Sequence, residues 1–121
     1  MANPKHLKIL EQGVEIWNRW REDVPEIQPN LSGANLSRKE LNGANFDEAI
    51  LDRVNLHKAS LLEASFHTTS LIGAKLTKAN LYNAGLYSAE LIEADLTGAD
   101  LMAANFHWAD LTIWKLHQEV D

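Results

Sequence analysis

At 121 residues with 45% hydrophobic content, the chain is sized for one domain with a buried core. Its net charge of −6 argues against a general binder of phosphate backbones, and the absence of cysteine removes disulfides, thiolate catalysis and Cys-ligated zinc. No segment approaches the ~20 apolar residues that span a bilayer, and the start lacks the apolar core of a secretion signal, so the expectation is a cytoplasmic protein without membrane contact.

The first element in chain order is helical. Asn3-Pro4 offers an N-cap and an N1 proline, and Leu7, Leu10, Val14 and Trp17 then recur at helical spacing, with Ile9, Ile16 and Trp20 widening the stripe. The spacing predicts one helix over 4–21, stopped by Pro25 and Pro29. Residues 1–28 are read as a capping helix and linker, with Trp17 and Trp20 covering the first apolar layer of the remaining chain.

From residue 29 onward the period becomes five. Counting from Leu31 to Leu116 in steps of five, all 18 positions are Leu or Phe. Calling each of these i, a small residue usually stands at i−2, as at Ala34, Ala44, Ala59, Ala79 and Ala99, and i−1 favours Asn, Asp or Ser. Five matches neither the 3.6 of a helix nor the 2 of a strand. If each pentapeptide is one short side and a corner, the large residue and the small one point inward and the chain coils. The three Phe residues, Phe46, Phe66 and Phe106, fall into one core column with Leu86 if a coil holds 20 residues, which gives four sides. Residues 29–121 then form a solenoid of about four and a half coils spaced by ~4.8 Å, with permissive Gly33, Gly43, Gly73, Gly98 and Asn83 at the i+2 turns.

Three residues break the pattern usefully. Lys39 occupies an i−2 slot and must either escape between lid and stack or force a bulge, while Trp114 in the same slot would stop the coils and make the last half-coil a cap. Thr69 departs more mildly.

The runs Ala34-Asn35-Leu36, Ala44-Asn45-Phe46, Ala79-Asn80-Leu81, Ala94-Asp95-Leu96 and Ala99-Asp100-Leu101 resemble the A(D/N)LXX signature of the pentapeptide-repeat family over roughly three quarters of the chain. The resemblance implies an all-β solenoid, a right-handed four-sided parallel β-helix, here with an N-terminal α-helical cap.

A 20-residue coil also sorts the outward residues into columns. One side stacks Arg38, Lys58 and Lys78 beside His57 and Lys75; the next stacks Leu62, Tyr82 and Met102; the third stacks Asp47, His67, Tyr87 and His107 beside Trp108. Leu62, Tyr82, Met102, Tyr87 and Trp108 are expected to form one apolar patch around a corner, suited to a protein partner or a second copy. Residues 79–121 hold seven acids, among them Glu90, Glu93, Asp95, Asp100 and Asp110, against Lys115 alone.

Flat sides over a filled core offer no concavity for catalysis. His67 above Asp47 suggests a hydrogen-bonded surface pair, and His67 and His107, two coils apart, are too distant to share a metal. The expectation is a non-enzymatic interaction or scaffold module without cofactor, metal or nucleic-acid ligand, monomeric or weakly dimeric. The resemblance also implies an alternative: some family members mimic DNA and occupy type II topoisomerases such as gyrase, a role the acidic C-terminal half would serve.

Overall fold

In a computed structural model of the chain, residues 1–112 are described. Two helices open it, α1 (Pro4–Glu11) and α2 (Val14–Asp23). The helix expected over 4–21 is therefore broken, at Gly13, whose φ of 108° only glycine adopts freely. Gln12 and Gly13 close α1 by donating to the carbonyls of Ile9 and Leu10. The break resets the helical phase: Trp17 and Arg21 of α2 are buried, whereas Ile16, read as part of the inner stripe, is exposed.

Beyond Pro29 the chain is a ladder of isolated parallel bridges joining residues 20 apart, from Asn30↔Ile50 through Glu90↔Asp110. Every bridge residue is an i−1 position. Each pentapeptide closes with a bond from the N–H at i+3 to the carbonyl of i, such as Ala34 to Leu31 at 3.1 Å. Within these turns only i+2 has positive φ, between 53° and 74° at every fifth residue from Gly33 to Trp108, which defines type II turns. Twelve of those residues are not glycine, although the left-handed region costs an L-residue roughly 1 kcal/mol or more. The stack over-determines them through the inter-coil bonds on either side.

The register gives four sides. Side 1 holds 35–39, 55–59, 75–79 and 95–99; side 2 starts at 40, side 3 at 45 and side 4 at 30 and 50, each recurring after one coil. Leu and Phe at i, and Ala at i−2, fill the axis and are almost fully buried from Leu31 to Leu96. Phe46 and Phe66 stack at 5.4 Å between centroids. Thr69 replaces Ala by donating its buried hydroxyl to the carbonyl of Phe46. Lys39 produces no bulge: its carbonyl accepts from Ser60 at 2.9 Å in normal register, and its side chain is exposed because no coil lies beneath the first one there.

The helices meet the first coil by copying a coil's hydrogen bonds with side chains. In the stack, the N–H and C=O at i−1 and the C=O at i+1 bond to the coil below. On side 3 of the first coil the carbonyl of Asn45 instead accepts from Trp17 Nε1 and Arg21 Nη1, that of Asp47 from Arg21 Nη2, and the Asn45 N–H donates to Asn18 Oδ1, all at 2.8 Å. On side 4 the N–H and C=O of Asn30 pair with His6 Nδ1 and the Asn3 N–H. Trp17 lies 5.8 Å from Phe46 and 5.1 Å from Trp20, extending the aromatic column downward. Burial pulls the Arg21 guanidinium below its ordinary pKa, against the opposing pull of Asp47 and Glu48. Trp114 lies outside the described residues.

Candidate functional site

The outward residues are fixed by how each turn caps its own backbone. Where i−1 is Asn or Asp, its Oδ1 accepts the N–H two residues on, at 2.9–3.1 Å, as from Asn35 to Ser37, Asn55 to His57, Asn80 to Tyr82 and Asn105 to His107. Where i−1 is Ser, the acceptor comes from the coil below. Asn42, Asp47 and Asp52 each take both the hydroxyl of Ser60, Ser65 or Ser70 and the N–H of Leu62, His67 or Ile72. Two side-chain codes thus serve one backbone requirement.

The acids of the upper coils belong largely to the first code. Asp95, Asp100 and Asp110 cap the N–H groups of Thr97, Met102 and Thr112. The two bonds from Thr112 hold the Asp110 carboxyl below the usual carboxylate range. Glu93 stands at a left-handed corner, and Glu90 is bridged directly beneath Asp110 on side 4. These five carboxylates are therefore spread over several sides and their corners.

On side 3 Asp47, His67, Tyr87 and His107 do form a column. The expected Asp–His hydrogen bond does not: His67 Nδ1 is 3.9 Å from Asp47 Oδ2, because Asp47 Oδ1 is committed to the His67 backbone N–H and to Ser65. The His67 ring leans upward onto Gly85, where an added Cβ would come within 2.6 Å of its Nε2. Above it, Tyr87 meets His67 edge-on at 6.2 Å and stacks on His107 at 5.8 Å, and His107 meets Trp108 at 5.0 Å. Of these contacts only that of Tyr87 with His107 is face to face, and Trp108 is more exposed than Tyr87.

Side 2 places Leu62, half-buried, beneath exposed Tyr82 and Met102. Among the described residues no ring contact joins Tyr82 to the side 3 ladder; the apolar residues of sides 2 and 3 stand as strips on either side of the corner at Asn83 and Gly85. Tyr82, Tyr87, Met102 and Trp108 are 44%, 42%, 68% and 73% exposed.

Neither of two hollows at the lid resembles an active site. One of about 220 Å³ is lined by Pro25, Glu26, Ile27, Gln28 and Glu48, and one of about 470 Å³ opens between Met1, Pro4 and Leu7 of the lid and Ser32, Gly33 and Arg53 of the coils. Both are wide to solvent. Among the described residues no cluster of His, Asp or Glu has metal-binding geometry, and no helix is long and apolar enough to cross a membrane.

The family model for pentapeptide repeats matches residues 30–61, 49–86 and 82–112 in eight copies. The chain belongs to the pentapeptide repeat family, whose members form right-handed quadrilateral β-helices. Among solved structures, it is similar to a pentapeptide repeat protein of the Arabidopsis thaliana thylakoid lumen, at 32% identity over 66% of this chain and 59% of that one, with a TM-score of 0.47. It is also similar to HetL, a pentapeptide repeat protein involved in heterocyst differentiation regulation in the cyanobacterium Nostoc sp. strain PCC 7120, at 34% identity over 69% and 43% of the two chains, with a TM-score of 0.42. A third, from Nostoc PCC 7120, shares 28% identity over 75% and 83% of the chains, with a TM-score of 0.45. The chain thus spans less than two thirds of the first two. No curated protein matches it.

Proposed function

We propose that this protein is a non-enzymatic interaction module that docks a protein partner on the apolar strips of sides 2 and 3. The observation that supports this reading is the exposure of Tyr82, Met102, Tyr87 and Trp108, large apolar or aromatic groups that lie outside the buried core. Flat sides over a filled axis suit recognition by surface and give a substrate nowhere to be enclosed. A gyrase-directed DNA mimic is the second reading. It is less favoured because Asp95, Asp100 and Asp110 serve as turn caps and are not gathered on one side. The test is cross-linking and pull-down from the native host with wild type, a Tyr87→Glu/Trp108→Glu variant, and an Arg53→Glu control on side 4. The reading expects the first variant alone to lose its partner; equal capture by all three would sink it. A supercoiling assay with gyrase serves the other reading, and inhibition at micromolar protein would put it first.

A further inference from the structure

Side 1 gathers positive charge in a chain whose net charge is −6. Five of the eleven Lys and Arg residues lie there: Arg38, Lys58 and Lys78 at successive left-handed corners, Lys39 beside Arg38, and Lys75 across the side. All five are exposed. Among the described residues none has a carboxylate within ion-pair distance, the only such pair being His67 with Asp47. Asp95, bridged above Lys75, is turned to its own Thr97.

Like charges stacked directly between neighbouring strands are destabilising. The same cations reach His57: desolvation first, then Lys75, Lys58, Arg38 and Lys78, hold its imidazole below its ordinary pKa. Its Nδ1 is paired with the Thr77 hydroxyl, which leaves Nε2 free to point at a ligand. The Lys78 stem is braced against Gly98, where a Cβ would come within 3.2 Å of its Cγ, so the column is closed above by a residue that leaves room for the cation.

The patch is compact. Arg38 and Lys78 are two coil steps apart, ~10 Å at the strand spacing. Glu40 borders the patch next to Lys39 in the chain, while acids farther off than a Debye length of about 8 Å are screened in physiological salt. A single charge would gain little on an exposed surface, since each pair contributes only about 0.2–1 kcal/mol, so the ligand must carry several charges within that length. A long polyanion would overrun the patch and meet the acidic remainder of the molecule. We infer that side 1 binds an oligophosphate chain through Arg38, Lys58, Lys75 and Lys78, with His57 as an additional donor. The assignment is independent of the apolar strips on sides 2 and 3.

The experiment is isothermal titration of the whole protein with tripolyphosphate, ATP and poly-L-glutamate. Binding of tripolyphosphate and ATP with similar affinity shows that the triphosphate chain is read whatever carries it, and binding of tripolyphosphate alone identifies free polyphosphate as the source. Lys58→Gln/Lys78→Gln is expected to weaken binding about tenfold, two exposed charge contacts' worth, while Arg53→Gln on side 4 leaves it unchanged. Lys58→Gln/Lys75→Gln provides a second pair, and circular dichroism checks that each variant is folded. On binding, the His57 ring signals in NMR should titrate at higher pH than in the free protein, because the ligand cancels the neighbouring cations. No binding in physiological salt, equal binding by the Lys variants, or tighter binding of poly-L-glutamate than of tripolyphosphate would overturn the assignment, the last in favour of an acidic protein surface.

Discussion

The stack and the lid meet the same backbone requirement in opposite ways. Inside the stack each coil bonds its N–H and C=O groups to backbone groups one coil away, so these inter-coil bonds do not depend on which outward side chains are present. At the lid only one backbone group among the described residues, the Asn3 N–H, bonds to the first coil's backbone, at the Asn30 carbonyl. The groups at Asn45 and Asp47 are met by Trp17, Asn18 and Arg21, three particular side chains from one face of α2. Generic bonding makes the stack tolerant and repeatable; specific bonding makes the lid fit one side of one coil.

Mutations can separate these contributions by chemical denaturation. Phe66→Ala, at the centre of the buried aromatic column, is expected to cost about 3–5 kcal/mol, the largest effect. Arg21→Met keeps much of the stem's packing but leaves the Asp47 carbonyl without its donor, and should cost about 1.5–3 kcal/mol. A larger loss for Arg21→Met than for Phe66→Ala would mean that the stack depends on its lid. Thr68→Gly comes last. A β-branched residue held at φ 53° is strained, and glycine there should stabilise the protein by about 0.5–1 kcal/mol. A loss at Thr68 would show that its hydroxyl bond to the His67 carbonyl outweighs the strain.

What was legible in the sequence came from volume. Leu and Phe at i and Ala at i−2 are set by the room at the axis, and three Phe residues at intervals of 20 and 40 sufficed to count the sides. The column of Asp47, His67, Tyr87 and His107 came from that register. The break at Gly13 did not, since one glycine costs a helix only about 1 kcal/mol and the apolar spacing runs through it unchanged. The pairing of Asn42, Asp47 and Asp52 with serines 18 residues on was hidden because each looks like an ordinary polar i+1 residue. By contrast, Asp95-Leu96-Thr97 and Asp110-Leu111-Thr112 carry a local signal: Asp followed two residues later by Thr is the pattern of an Asx turn, and it would have marked those acids as caps. Lys39 was legible as an anomaly, but which way it resolved depended on the absence of a coil beneath it.

The serine code also bears on how such a rod can lengthen over evolutionary time. Each serine needs an acceptor 18 residues earlier, one coil below, so an insertion between Asn42 and Ser60 keeps that pair only if it brings an Asn or Asp to the position beneath. Copying the pentapeptide 38–42 in tandem does so: it sets a second Asn beneath Leu62, while the original Asn42 comes to lie under His57, whose N–H Asn55 already caps. Although the repeating unit is five residues long, what any lengthening must preserve in this region is a pairing that spans a whole coil.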